Sequence, residues 1–154
     1  MRARRTARRL ALDVLYEAEI RDLLPLEAWD ERGENGWVVQ ALGEEEGRMD
    51  DAEPAPEVIA YAHALVTGVQ EHQADIDVLI VRYADRWAIE RMPVVDRSLV
   101  RMALFELLWC PDIPIAVAIN EAVELAKSLS TEDSGRFING LLGRIVDKER
   151  AEQT

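Results

Sequence analysis

Cysteine is almost missing from this 154-residue chain. Cys110 stands alone, so no internal disulfide can form and a reducing compartment is expected. Histidine is nearly as scarce: His63 and His72 lie nine positions apart, and neither pairs with Cys110 in a metal-ligand spacing. Spatial neighbours need not be sequence neighbours, so a Cys–His nucleophile is one alternative. A small apolar cysteine at a helix end is the commoner meaning of such a residue. No apolar run reaches membrane-spanning length, since the best stretch, Leu99 to Cys110, is broken by Arg101 and Glu106. The basic N-terminus is not followed by an apolar segment and a small-residue cleavage site, so no secretory signal is expected and the location is read as cytoplasmic. A glycine-rich phosphate loop is also lacking. Gly135, Gly140 and Gly143 sit inside a helical pattern, where glycine costs stability and points to close backbone packing or the approach of a partner. Carboxylates abound, but none forms a defined acid–base pair. No catalysis, cofactor or metal is expected.

What the chain does have is charge, unevenly placed. Lys+Arg number 18 and Asp+Glu 30, a formal balance of −12, with 49% hydrophobic residues; this is a soluble, globular composition. The length fits one compact domain. Residues 1 to 9 hold five arginines and no acid, whereas Glu17 to Glu53 holds thirteen acids against three arginines. An acidic whole argues against nonspecific duplex binding, but a local arginine cluster can still meet phosphate.

Helical periodicity dominates. Ala7, Leu10, Ala11, Val14, Leu15 and Ala18 form one apolar stripe. From about 21 to 56 the pattern weakens, punctuated by Gly33, Gly36, Gly43 and Gly47. That acidic stretch reads as a mobile or loosely helical connection with Trp29 and Trp37 as anchors. Stripes resume at Val58 to Val69 and at Ile76 to Tyr83. Val94 to Trp109 is apolar around most of its circumference, the mark of a central helix, and within it Glu106 is expected to be a buried carboxylate held by an arginine or by backbone N–H groups. Pro111 ends this helix and Pro114 suits the first turn of the next, whose stripe runs from Ile115 to Leu129. Ser130 and Asp133 read as a capping signal for a last helix that turns Ile138, Leu141, Leu142 and Ile145 inward. No alternating strand pattern and no internal repeat appears. The fold class is all-α.

Two helical faces could carry function. On the first helix Arg5, Arg9, Leu12 and Tyr16 share the side opposite the apolar stripe, combining arginines for phosphate with an expected exposed leucine and tyrosine. On the last helix Asp133, Phe137, Gly140 and Arg144 share a flank beside the core stripe, where a phenylalanine either covers the core margin or stacks on a base. An ordinary solvated face is the plainer alternative for both.

The residues that carry a family resemblance are Arg4-Arg5-Thr6-Ala7-Arg8 with Leu15-Tyr16, then Asp96 to Glu106, Ile113-Pro114, Ala118 to Lys127, and Glu132 to Gly140. In this order they resemble the NusB transcription antitermination factors. The resemblance covers the first helix and most of residues 87 to 146. It implies two small helical bundles packed together in one domain over residues 1–154. It also implies a non-catalytic adaptor that pairs with the small-subunit ribosomal protein NusE, binds boxA-type single-stranded nascent RNA and joins the RNA polymerase elongation complex in antitermination on ribosomal RNA operons. Carried over by position, Arg4, Arg5, Arg8 and Arg9 together with Asp133 and Phe137 would contact RNA, while Tyr16 and Asp96 would face NusE. Thr6 stands where some relatives carry another arginine, and the acidic stretch is longer than in compact relatives. NusB-like domains also open ribosomal RNA cytosine methyltransferases; no S-adenosylmethionine-binding domain follows here, so that reading requires a longer protein. A helical protein–protein module, and a homodimer burying the Leu12/Tyr16 patch, complete the alternatives.

Overall fold

The computed structural model of the chain describes residues 2–35, 54–84 and 89–151. Among them every regular element is helical: α1 (Arg2–Arg21), α2 (Pro25–Glu34), α3 (Pro56–Tyr83), a 3₁₀ turn (Ile89–Arg91), α4 (Val94–Trp109), α5 (Ile115–Leu129) and α6 (Glu132–Ala151). The all-α class is as expected. The chain divides into two compact units, residues 1–70 and 71–154, and the division falls within α3. Among the described residues no helix is long and apolar enough to cross a membrane.

In the first unit the stripe from Ala7 to Ala18 is buried as its period requires. Burial goes further round α1 than that stripe, however, and encloses Arg8, Leu12 and Asp13. The expected exposed leucine is therefore wrong: Leu12 has 0% of its surface accessible. The helix stops in a Schellman-type turn, with Leu23 N–H donating to the Ala18 carbonyl (2.8 Å) and Asp22 N–H to that of Glu19 (3.3 Å). Asp22 takes the left-handed conformation, φ 57°, where glycine is usual.

The stretch read as a loose connection contains a ten-residue helix, α2. Pro25 occupies its first position, and Glu27 Oε1 accepts from the N–H of Leu24 at 2.9 Å, half of a capping box. Trp29 is buried against His63, ring centroids 5.1 Å apart, and Leu26 N–H donates to Gln70 Oε1 at 2.9 Å. Glu17 binds both Arg21 (2.8 Å), within α1, and Arg32 (2.7 Å), and Arg21 reaches on to Glu31 (2.7 Å), so two ion pairs tie α2 to α1. These long-range partners supply what the weak local period does not. Trp37 and the rest of the acidic stretch to residue 53 lie outside the described residues.

The second unit is built around α4, whose buried positions include Leu99, Val100, Met102, Ala103, Leu104 and Leu107. Glu106 is buried among them, 1% exposed. Arg101 Nε and NH2 grip Asp77 Oδ1 (2.9 Å) and Oδ2 (3.0 Å) as a two-pronged pair. α5 buries the small residues Ala118, Ala122 and Ala126, and α6 packs against both α4 and α5. The close α5–α6 seam explains Gly135: a methyl group there would stand 2.9 Å from Lys127 Cγ. Gly140 and Gly143 have no such reason, since a methyl group at either meets nothing within 4 Å. Pro114 precedes α5 as its N-cap instead of opening its first turn. Likewise α6 is capped by Thr131, not Ser130; Thr131 Oγ1 accepts from the N–H of Ser134 at 2.9 Å.

Candidate nucleic-acid interface

The arginines of α1 separate by depth. Arg4 and Arg5 are exposed, Arg9 is half-buried, and Arg8 is enclosed at 4% exposure. Arg4 and Arg8, one turn apart, both lie over the Tyr61 ring, at 5.0 and 5.9 Å from its centroid. Arg8, expected at the RNA surface from the resemblance, is instead enclosed within the first unit of the free chain. Tyr16 is half-buried, next to Glu17, whose carboxyl is held below the usual carboxylate range first by its hydrogen bond from Arg32, against an opposing push from burial and with further help from Arg21.

In the second unit a groove of about 860 Å³ runs along one flank of α6. Asp133, Phe137, Gly140 and Arg144, the four residues placed on one flank by helical spacing, all line it. Pro93, Tyr83 and Ala84 form the facing wall, and Ser130, Thr131 and Ser134 close the end where α6 begins. Phe137 is half-buried, so part of its ring belongs to the groove surface. The open space beside Gly140 leaves the floor clear next to that ring. Arg144 NH1 donates to the Tyr83 carbonyl at 2.6 Å, and Arg136 forms an ion pair with Asp133 at the groove's mouth. Flat ring, guanidinium groups and a carboxylate acceptor within one cleft are the means by which proteins hold an unstacked base and its phosphate.

Asp96 is not at a surface. It is 0% exposed, and its Oδ2 accepts a 2.6 Å hydrogen bond from Ser134 Oγ. Facing a partner is therefore closed to it in this arrangement of the chain. The hydroxyl trio and Arg136 were missed by sequence reasoning. Arg136 had a local signal, lying three residues after Asp133, whereas the link from Ser134 to Asp96 spans 38 residues and had none. Both histidines are in ring contacts, His63 with Trp29 and His72 with Trp109 at 4.3 Å. Among the described residues no group of three or more histidine, cysteine or acidic side chains could hold a metal ion.

The described residues define an all-helical protein of two compact units, with arginines on the opening helix and a groove along the last one, and comparison with known proteins is specific. The model of the NusB family matches residues 5–147, and the chain belongs to that family. It is 48% identical over 147 residues to the transcription antitermination protein NusB of Salinispora arenicola, covering 96% of this chain and 97% of that one. Among solved structures, T. maritima NusB superposes with a TM-score of 0.76 at 34% identity, over 94% of this chain and 91% of that one. NusB solved with NusE and double-stranded RNA superposes with a TM-score of 0.76 at 27% identity, over 96% of this chain and 98% of its counterpart.

Proposed function

We propose that this chain is a cytoplasmic, non-catalytic RNA-binding adaptor. It pairs with NusE, takes a boxA-type single-stranded segment of nascent RNA and joins the RNA polymerase elongation complex in antitermination on ribosomal RNA operons. The observation that carries this reading is the α6 groove, where Phe137, Asp133 and two arginines converge in a member of the NusB family, one of whose relatives is solved with NusE and RNA. Phe137 offers its face to a base, Asp133 accepts from an exocyclic amine, and Arg4 and Arg5 meet phosphates. The formal charge of −12 keeps nonspecific attraction weak, so RNA affinity depends on these few groups and on a partner. Tyr16 is assigned to the partner surface. A homodimer through a Leu12/Tyr16 patch is not carried forward, because Leu12 is buried.

The test is a fluorescence titration of a boxA-type oligonucleotide with and without NusE. Tight binding that needs both proteins, and that Phe137→Ala weakens by about 1–3 kcal/mol, is the expected result. Affinity unaffected by Phe137→Ala would move the RNA elsewhere.

A further inference from the structure

Asp96 is a buried carboxylate that the reading above leaves unused, and its partner Ser134 lines the groove. It occupies the first turn of α4, which begins at Val94 after Pro93, and it receives its hydrogen bond from the first turn of α6. Two helix N-termini therefore share one buried acid. Its second oxygen, Oδ1, receives no hydrogen bond from the described residues, so the grip on Ser134 is its one polar tie to α6.

That tie sets the direction of every hydroxyl at the groove's closed end. Ser134 Oγ donates its single proton to Asp96 Oδ2. Ser134 Oγ is then left as an acceptor, and it receives the hydroxyls of Thr131 (3.1 Å) and Ser130 (3.0 Å). With its proton committed, Thr131 Oγ1 turns its lone pairs to the N–H of Ser134 and caps the helix. Asp133 precedes Ser134 and Phe137 follows it by less than one turn, so the orientation of that first turn aims both side chains.

We propose that Asp96 is a positioning residue for the α6 groove, acting through Ser134 to hold Asp133 and Phe137 in the orientation that receives RNA. The proposal rests on the groove being the RNA site, and the experiment separates the two ideas. The full chain with NusE is titrated with a labelled boxA-type single-stranded oligonucleotide at low ionic strength, where the exposed α1 arginines keep weak complexes measurable. Asp96→Asn and Ser134→Ala are each made in the wild type and in an Asp133→Ala/Phe137→Ala background. Ser134→Ala is expected to weaken RNA binding by about tenfold in the wild type, the size of a lost hydrogen bond to a charged group, and Asp96→Asn, which leaves Ser134 only a neutral acceptor, by a smaller but measurable factor of about threefold. In the background that lacks both aimed side chains, each is expected to change affinity by less than about twofold, although melting temperature falls equally in the two backgrounds. NusE affinity measured without RNA stays at the wild-type value. Equal losses of RNA affinity in both backgrounds would reduce Asp96 to a general stabiliser and overturn the proposal. A loss of NusE affinity without RNA would do so by making it a partner contact, and so would wild-type RNA affinity in both variants. If the Asp133→Ala/Phe137→Ala protein itself binds like wild type, the groove is not the RNA site and the proposal falls with it. Should Asp96→Asn fail to fold, Ser134→Ala, which deletes one oxygen, carries the same comparison.

Discussion

Replacing Arg4 and Arg5 together by alanine separates the electrostatic part of RNA binding from the rest. Each phosphate released from a single strand removes about 0.7 from the slope of log affinity against log salt. Arg4 and Arg5 are exposed, so losing both contacts makes the slope shallower by about 1.4. Arg8→Ala gives the opposite pattern. Its guanidinium is enclosed and lies over Tyr61, so the slope stays at the wild-type value while the melting temperature falls. The assay is fluorescence anisotropy of a boxA-type oligonucleotide across salt concentrations with NusE present, alongside thermal melts followed by circular dichroism. An unchanged slope in the Arg4→Ala/Arg5→Ala variant would show that α1 binds no phosphate. A slope flattened by Arg8→Ala at constant melting temperature would show that depth in the free chain does not govern which arginines reach RNA.

Asp77→Ala should cost about 3 kcal/mol, the low end for a broken buried pair because Asp77 retains 30% side-chain exposure beside the 9% of Arg101. Thermal melts should show Arg101→Met costing less, because the carboxylate it leaves is the better hydrated partner; equal losses would deny that asymmetry. Gly140→Ala places a methyl group in open space within a helix, so it should stabilise by about 1 kcal/mol in a denaturant titration. The same methyl group narrows the groove, so RNA affinity should fall, and a variant both more stable and equally tight would remove Gly140 from the site. Because the Glu17 carboxyl is depressed in the folded chain, its stabilising effect is present above the unfolded carboxylate value and is lost as pH falls through the folded one. The difference in melting temperature between wild type and Glu17→Gln should therefore be full at pH 7 and vanish in acid; a difference independent of pH would assign it to packing.

Helices with a single strong stripe were legible because the apolar period is a property of the segment itself. Ile138, Leu141, Leu142 and Ile145 fall inward, and the flank beside them, from Asp133 to Arg144, lines the groove. α1 was misread for a related reason: a helical wheel locates one buried side, whereas Leu12 and Arg8 are buried by neighbours that the wheel does not contain. α2 was hidden because its ties run to Glu17, His63 and Gln70, outside its own segment. Asp96 shows the same limit at the site. An acid in a first turn normally reads as a favourable surface charge, and only the arrival of Ser134 from α6 makes it an interior one.

The ion pair between Arg136 and Asp133 gives the groove a built-in competitor. An anion that takes the guanidinium must displace a carboxylate already in place and leave that carboxylate beside itself, two like charges at one mouth. A bare polyanion therefore exchanges one counter-charge for another with little net gain. A nucleotide is different, because its phosphate can take Arg136 while a base amine satisfies the released Asp133. On the proposed reading the groove would therefore favour a ligand that carries an acceptor and a donor together, in a chain whose overall charge is acidic.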